Sequence, residues 1–499
     1  MNGTAIKTLR EVLAGTGLEE RLPDSLASRP VAGIAYDSRK VQPGFLFFAF
    51  QGAHTDGRKY ATHALNRGAL AVVSELPPPA GFCGTWLETA HGRRTLSLAA
   101  RNFFDKPDER LKLTGITGTN GKTTTAYLVE SILTAAGLRS SLVGTIEYHV
   151  AGQVRPAPNT TPESLDILTM LHETETWGGS HVTMEVSSHA LALGRVYGIL
   201  FHTAVFTNLT RDHLDFHPTM EAYFAAKRLL FEGAGAPPPR CAVLNADDPY
   251  SDRLGFQGET IRFGLHGGAD LRATRIVQSF EGLQFDAAFR GGKFRMESPL
   301  VGRFNVYNIL AACGVGLSYG LDFGALAAGV AACRRVPGRF ERIDRGQPFL
   351  VAVDYAHTDD ALRNVISLAR ELKPRRVITL FGCGGDRDRN KRPLMGMAAA
   401  EHSDLVVLTS DNPRSEDPLA IINDTLVGLR RFDTPHIVEP DREAAIRRAI
   451  GEAMPGDVVI LAGKGHETYQ IFRDRRVPFD DREVAAKALE AMGYRGGRA

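Results

Sequence analysis

The segment Thr117-Gly118-Thr119-Asn120-Gly121-Lys122-Thr123-Thr124 places two glycines, one lysine and four threonines within eight residues. Glycine lets backbone N–H groups turn inward onto phosphate oxygens, and a helix start behind the loop adds positive potential. Lys122 supplies a mobile positive charge and Thr123 a hydroxyl suited to magnesium. An apolar run at 111–116 precedes the loop, and Leu128, Val129, Ile132, Leu133 and Ala136 behind it share one helical face up to Gly137. That strand–loop–helix order separates an ATP site from a glycine-rich turn with a chance lysine. The common spacing of the motif would need glycine at position 116, which is Ile116, so a mechanical pattern search would pass over this loop.

Such a loop needs a sheet to hold it. Apolar runs recur at 141–146, 182–186, 204–207 and 242–244, and again at 350–353, 377–381, 405–409 and 458–462, most of them separated by helical patterns. Continuous apolar strands alternating with helices predict an α/β protein with two doubly wound, mostly parallel sheets, whose ligands bind beyond the strand C-termini. The first segment predicts short strands at 31–36, 45–50 and 69–74 and a helix over 57–67. A chain of 499 residues exceeds one core and implies two or three domains, three being preferred. Lys106-Pro107-Asp108 and Val336-Pro337-Gly338 mark the boundaries, giving domains 1–108, 109–337 and 338–499.

Composition narrows the function classes. Hydrophobic residues at 43% and charged residues at 23% describe an ordinary soluble globular chain. Fifty-nine basic against 57 acidic residues, with no basic block, argue against a nucleic-acid partner. The first ten residues lack the order of a signal peptide, and no apolar run approaches the roughly 20 residues that span a bilayer, so the cytoplasm is the expected location. Cys83, Cys241, Cys313, Cys333 and Cys383 are odd in number and scattered, which predicts reduced, structural thiols.

The phosphate loop resembles that of the Mur ligase family, and seven further stretches resemble family signatures in the family's order. They are Asn159-Thr160-Thr161-Pro162, Glu185-Val186-Ser187-Ser188-His189, Asn208-Leu209-Thr210-Arg211-Asp212-His213-Leu214-Asp215, Asp354-Tyr355-Ala356-His357, residues 382–388, Asp411-Asn412-Pro413-Arg414 and Gly463-Lys464-Gly465-His466-Glu467. The resemblance covers about 37–467. It implies a small N-terminal α/β domain for the UDP end of the substrate, a central P-loop ATPase domain, and a C-terminal Rossmann-like domain for an incoming amino acid. It also implies the reaction: ATP phosphorylates a carboxylate, and an amine attacks the acyl phosphate to form an amide. The implied partners are ATP, magnesium, UDP-N-acetylmuramoyl-L-alanyl-D-glutamate and meso-diaminopimelate, with the enzyme acting as a monomer.

Site residues follow from the same resemblance. Thr117, Gly118, Thr119, Asn120, Gly121, Lys122, Thr123 and Thr124 would bind ATP, joined by Asn308, Arg339 and Asp354. Thr123, Glu185, His213 and Lys227 would serve magnesium, and Lys227 would be an N6-carboxylysine. With Lys122, the residues Glu185, His213 and Lys227 form the expected catalytic set. Taken singly, Glu185 reads as a solvated carboxylate, His213 as a loop hydrogen-bonder and Lys227 as an exposed helical lysine. Ser38, His54 and Thr55, in elements similar to those of family members adding the third peptide residue, would hold the uridine diphosphate. Asn159, Thr160, Thr161, Ser187, Leu193 and Arg195 fall where relatives contact the muramoyl dipeptide, and Leu193 departs from the family's common glutamine. Arg387, Asp411, Asn412, Pro413, Arg414, Gly463 and Glu467 would form the amino-acid pocket. Diaminopimelate differs from lysine by a distal carboxylate, which an arginine can grip with two parallel hydrogen bonds, so Arg414 would be the selector.

Two other readings use the same loop. A ligase for another acid, such as a folate polyglutamylase, would not need Asp37-Ser38-Arg39 or Asp411-Asn412-Pro413-Arg414. A nucleotide-binding switch would not need Arg387, Arg414 and Glu467.

Overall fold

A computed structural model describes residues 6–52, 55–214, 216–473 and 475–496. The chain forms two compact units. One takes the residues up to Ala273 with Ala287–Phe294 and Tyr307–Val330; the other takes Thr274–Asp286, Arg295–Val306 and the residues from Ala331 onward.

In the first unit, the strands Gly33–Ala35, Phe45–Phe48, Ala71–Ser74 and Trp86–Glu88 pair in that order, all parallel. Phe47 and Val72 face Ala61 and Ala64 on one side, while Leu46, Phe48 and Val73 join the larger core on the other. Burial on both faces explains why these strands read as apolar runs and not as alternating ones. Each fully buried Leu, Val or Phe contributes about 1.5–3 kcal/mol. The expected helix over 57–67 is a 3₁₀ turn, Gly57–Tyr60, running into Ala61–Asn66.

A second sheet has eleven strands, in the order Gly292–Ser298, Gly282–Phe289, Leu271–Ser279, Glu259–Gly264, Cys241–Asn245, Thr203–Phe206, Lys112–Thr117, His181–Glu185, Ser140–Val143, Glu147–Val150, Gln153–Pro156. From Leu271–Ser279 to Ser140–Val143 every pairing is parallel, and Glu147–Val150 and Gln153–Pro156 add an antiparallel edge. Lys112–Thr117 lies between strands that follow it in sequence on either side, so its C-terminus is a topological switch point, where ligands bind. The strand expected over 141–146 ends at Val143. A Cβ on Gly144 would lie 2.6 Å from Glu185 Oε1, so the chain turns there to admit that carboxylate. The strands between 259 and 298 were not anticipated, because in Leu271–Ser279 and Gly292–Ser298 buried and exposed residues alternate and no apolar run results.

The second unit carries a six-stranded sheet in the order Glu341–Ile343, Leu350–Asp354, Val458–Ala462, Val377–Phe381, Leu405–Leu408, His436–Val438, parallel except at the first pair. Leu362, Val365 and Ile366 pack on one face, and Ile446, Ile450, Val484 and Leu489 on the other. This is the doubly wound arrangement expected from the sequence. No helix among the described residues is long and apolar enough to cross a membrane. Cys83 is exposed and the other four cysteines are buried, none in a disulfide, and burial pushes the thiols of Cys241, Cys313 and Cys383 up to about 12.

Candidate active site

The phosphate loop lies between Lys112–Thr117 and the helix Lys122–Ala135. Two of its glycines are dictated by crowding. Gly118 has φ +142°, and a Cβ there would meet Thr207 Oγ1 at 1.9 Å; Gly121 has φ +88°, and a Cβ would meet Asn308 Oδ1 at 2.3 Å. The loop is held from Asn208, whose carbonyl accepts from Thr119 N at 2.9 Å and whose Oδ1 accepts from Asn120 N at 2.9 Å. Lys122 Nζ donates to the carbonyls of Gly118 and Thr119, at 3.0 and 2.8 Å. Thr117 and Thr124 are buried. Ile116, where the common motif has glycine, is a buried strand residue in register with Glu185 and Val205, which is why the substitution is tolerated.

Glu185 ends its strand almost fully buried. Its Oε2 accepts from Thr123 Oγ1 and from Thr145 Oγ1, both at 3.0 Å, and its Oε1 accepts from Thr145 N at 2.8 Å. Thr145 Oγ1 in turn lies 3.1 Å from Thr160 Oγ1. Thr161 Oγ1 donates to the Glu185 carbonyl at 2.8 Å and accepts from Ser187 N at 3.0 Å. The loop hydroxyl, the carboxylate and the segment expected to meet the dipeptide are therefore one connected group. Hard oxygen donors of this kind fit magnesium, which takes one or two protein ligands beside phosphate and water. No cluster of three His, Cys, Asp or Glu side chains suited to a metal occurs among the described residues.

Lys227 corrects the reading of an exposed helical lysine. It is buried in the helix Met220–Glu232, its Nζ donates to the Gly118 carbonyl at 2.8 Å, and the ammonium lies 4.4 Å from the Tyr223 ring centroid. Burial, then repulsion from Lys122, hold its amine well below the usual lysine range against the pull of Asp212. His213 has φ +54°, and its Nε2 lies 3.4 Å from Asp212 Oδ2. Its ring sits 4.9 Å from that of His189 and 6.0 Å from that of Tyr223.

Of the residues expected at the uridine end, Ser38 is buried with Oγ 3.0 Å from His63 Nδ1, Thr55 is exposed, and His54 lies outside the described residues. Asn159 is exposed, Leu193 half-buried. Arg195 donates from Nε to Glu163 Oε1 at 3.0 Å and from Nη1 to the Thr161 carbonyl at 2.9 Å. Glu163 also takes Arg93 Nε at 3.2 Å. Glu163, Arg93 and Thr145 were missed in the sequence; only the position of Glu163 directly after Asn159-Thr160-Thr161-Pro162 could have signalled one of them.

In the second unit, Asp354 Oδ1 and Oδ2 accept from the backbone of Ala356 and Phe340, at 2.8 and 2.7 Å. Burial raises its carboxyl above the ordinary range, against the attraction of Arg339, whose guanidinium lies 5.0 Å from the Tyr355 ring centroid. Beyond the strand ends, Lys464 is fully buried with Nζ 3.4 Å from Asp411 Oδ1, 3.2 Å from Asn412 Oδ1 and 3.4 Å from Glu467 Oε2. Asn412 Nδ2 donates to Glu467 Oε2 at 2.9 Å. Gly463, at φ +112°, has no room for a Cβ, which would lie 2.9 Å from Asp411 Oδ2. Pro413 closes on Gly385, where a Cβ would sit 1.9 Å from the proline carbonyl. Arg414 has φ +51°, and its Nη1 donates to the Gly385 carbonyl at 2.7 Å. Arg387 is exposed, its Nη1 3.4 Å from its own neighbour's carbonyl at Asp386. Lys464 is the residue that sequence reasoning left out, although it sits inside a quoted motif. The arrangement offers carboxylates for an ammonium and arginines for a carboxylate.

Three family descriptions match the chain: Mur ligase family, catalytic domain, over residues 30–84; Mur ligase middle domain over 116–316; and Mur ligase, glutamate ligase domain, over 338–465. A UDP-N-acetylmuramoyl-L-alanyl-D-glutamate–2,6-diaminopimelate ligase of Solibacter usitatus (strain Ellin6076) is 65% identical over 488 residues, covering 97% of this chain and 99% of that protein. A protein of the same description from Gloeobacter violaceus is 45% identical, covering 98% and 99%. A solved structure of a ligase so described superposes with a TM-score of 0.71 at 34% identity, covering 98% of this chain and 100% of that one. The MurF ligase of Thermotoga maritima in complex with ADP, at 17% identity, shares the fold with a TM-score of 0.61 over 92% of this chain and 96% of that one.

Proposed function

The chain belongs to the Mur ligase family, and from that premise we propose that it is the ATP-dependent ligase that joins meso-2,6-diaminopimelate to UDP-N-acetylmuramoyl-L-alanyl-D-glutamate, a step of peptidoglycan synthesis. The division into 1–108, 109–337 and 338–499 and a cytoplasmic, monomeric existence go with this reading.

A carboxylate oxygen is a poor leaving group, so the D-glutamate side chain must first be activated. A carboxylate oxygen bonds to the γ-phosphorus of ATP as the bond to ADP breaks, giving an acyl phosphate. The neutral amine then adds to the carbonyl carbon, and phosphate departs with its electron pair while one N–H proton passes from nitrogen to the departing phosphate, leaving the amide. Every reactant brings negative charge to one point, so catalysis is positioning plus electrostatic stabilisation. The loop N–H groups at 117–121 and Lys122 take the phosphates, with Thr124, Asn308, Arg339 and Asp354 completing the nucleotide contacts. Thr123 and Glu185 would hold a magnesium ion, which when bound offsets the phosphate charge, and His213 and a carboxylated Lys227 would serve a second. Burial favours the neutral amine of Lys227, the form that adds carbon dioxide, and the carbamate would turn a repelling ammonium into an anion.

Ser38, His54 and Thr55 receive the uridine diphosphate, and Asn159, Thr160, Thr161, Ser187, Leu193 and Arg195 the dipeptide. Asp411 and Glu467 take an ammonium of the diamine: with one positive charge between them at Lys464, these two carboxylates have one negative charge left for it. Arg414 and Arg387 take the distal carboxylate. The observation that carries the reading is this pocket of opposite-charge sites in a chain that also has a phosphate loop bonded to Glu185 through Thr123. The test is magnesium- and ATP-dependent phosphate release with the UDP-linked dipeptide and meso-diaminopimelate, L-lysine or no amine. Release with diaminopimelate alone is expected; release with lysine instead would refute the selectivity, and release with neither would refute the ligase.

A further inference from the structure

Behind the amino-acid pocket of the second unit lies an ion pair that belongs to none of the motifs. Arg442 opens the helix Arg442–Gly451 and Asp481 opens the helix Asp481–Ala491, and neither side chain is exposed to solvent. Arg442 Nε donates to Asp481 Oδ1 at 2.8 Å and Nη2 to Oδ2 at 2.6 Å, a two-pronged grip. The same guanidinium reaches further, from Nη2 to the Ala462 carbonyl at 3.0 Å and from Nη1 to the Ser410 carbonyl at 3.4 Å.

Those two carbonyls are telling. Ser410 immediately precedes Asp411 and Asn412, and Ala462 immediately precedes Gly463 and Lys464. The strands that lead to them, Leu405–Leu408 and Val458–Ala462, are not neighbours: Val377–Phe381 runs between them. No ladder hydrogen bond therefore joins these two strands directly; each pairs with Val377–Phe381. On the pocket side Lys464 and Asn412 tie the two halves through flexible or single contacts, and behind them one rigid, planar group holds both backbones. A lysine could not do this, because a single ammonium cannot hold both oxygens of Asp481 and two separate carbonyls in a fixed plane. Stability is a weak explanation for such a pair, since burying two charges costs about as much as their attraction returns.

We propose that Arg442, held by Asp481, is a positioning residue that fixes the separation between Asp411-Asn412 and Gly463-Lys464-Glu467, and so tunes selection of the diamine. This rests on the ligase reading above. Replacing both charges with apolar side chains, Arg442→Met with Asp481→Leu, removes the span without stranding a buried charge, which keeps the fold testable. In the full chain, amine-dependent phosphate release should show the KM for meso-diaminopimelate raised at least roughly tenfold, because small misplacements of binding groups are costly. The KM for ATP should stay within about twofold of the parent, and the preference for diaminopimelate over lysine should shrink. Arg442→Lys, which keeps the charge, should also raise the diaminopimelate KM, and it decides the matter if the double variant does not fold. A folded variant of either kind with an unchanged diaminopimelate KM and unchanged preference would overturn the inference. Absence of amine-dependent release by the unaltered chain would overturn the ligase reading, and this inference with it.

Discussion

Replacing Arg414 with methionine isolates the contribution of its guanidinium. The backbone is left alone: residue 414 has φ +51° whatever its side chain, and its N–H to Ile471 and carbonyl to Arg473 N stay in place. The side chain loses its hydrogen bond to the Gly385 carbonyl at 2.7 Å, which costs about 0.5–1.5 kcal/mol of local order with either amine. With diaminopimelate, a buried carboxylate loses its charged partner as well, at a cost of about 2–5 kcal/mol. At 1.4 kcal/mol per decade, the two losses together should lower kcat/KM for diaminopimelate by roughly 60- to 40,000-fold. Lysine has no distal carboxylate, so its kcat/KM should fall by no more than about tenfold. The assay is phosphate release at matched ATP and dipeptide with each amine in turn, read as the ratio of the two kcat/KM values. A variant that binds ATP normally and keeps the parent ratio would refute the assignment of Arg414 as selector.

Gly118→Ala must place a methyl 1.9 Å from Thr207 Oγ1 at φ +142°, so ATP-dependent turnover should be lost, and a parent-like nucleotide affinity by titration would contradict the tightness of the loop. If Lys227 works as a carbamate, activity should fall in carbon dioxide-depleted buffer and return with bicarbonate, with a carbamate carbon signal in ¹³C NMR that Lys227→Arg lacks; full activity without carbon dioxide would exclude it. His149 lies between Glu130 and Glu147, with Nδ1 2.8 Å from Glu130 and Nε2 2.9 Å from Glu147, and the two carboxylates raise it to about 9. A raised folded-state value stabilises fully below the unfolded value of about 6.5 and fades as pH climbs through about 9. Denaturant unfolding should accordingly show on the order of 1–2 kcal/mol lost from pH 6.5 to 9.5 and absent in His149→Gln, and an equal loss in the variant would assign it elsewhere.

Much of the fold was legible because parallel strands buried on both faces are written as continuous apolar runs, as in Val377–Phe381 and Val458–Ala462, whose bounds the pattern predicted to the residue. The phosphate loop was legible for a similar reason: Gly118, Gly121, Lys122 and Thr123 are close together in the chain and lie in one turn. The half-exposed strands from 259 to 298 left no such mark, because their buried residues alternate with exposed ones and never form a continuous apolar run. What only the tertiary structure decided was which distant residues share a site and how deeply each is buried. Lys227 has the sequence neighbourhood of a surface lysine, and only the placement of its helix against the phosphate loop buries it under Gly118. Thr145 meets Glu185 because a strand stops at a glycine, Glu163 gathers Arg93 and Arg195, and Arg442 spans two strands that are not neighbours. Each of these pairings joins residues 20 or more positions apart, and a hydrogen bond across that separation is set by how the elements pack, not by any local preference of the chain.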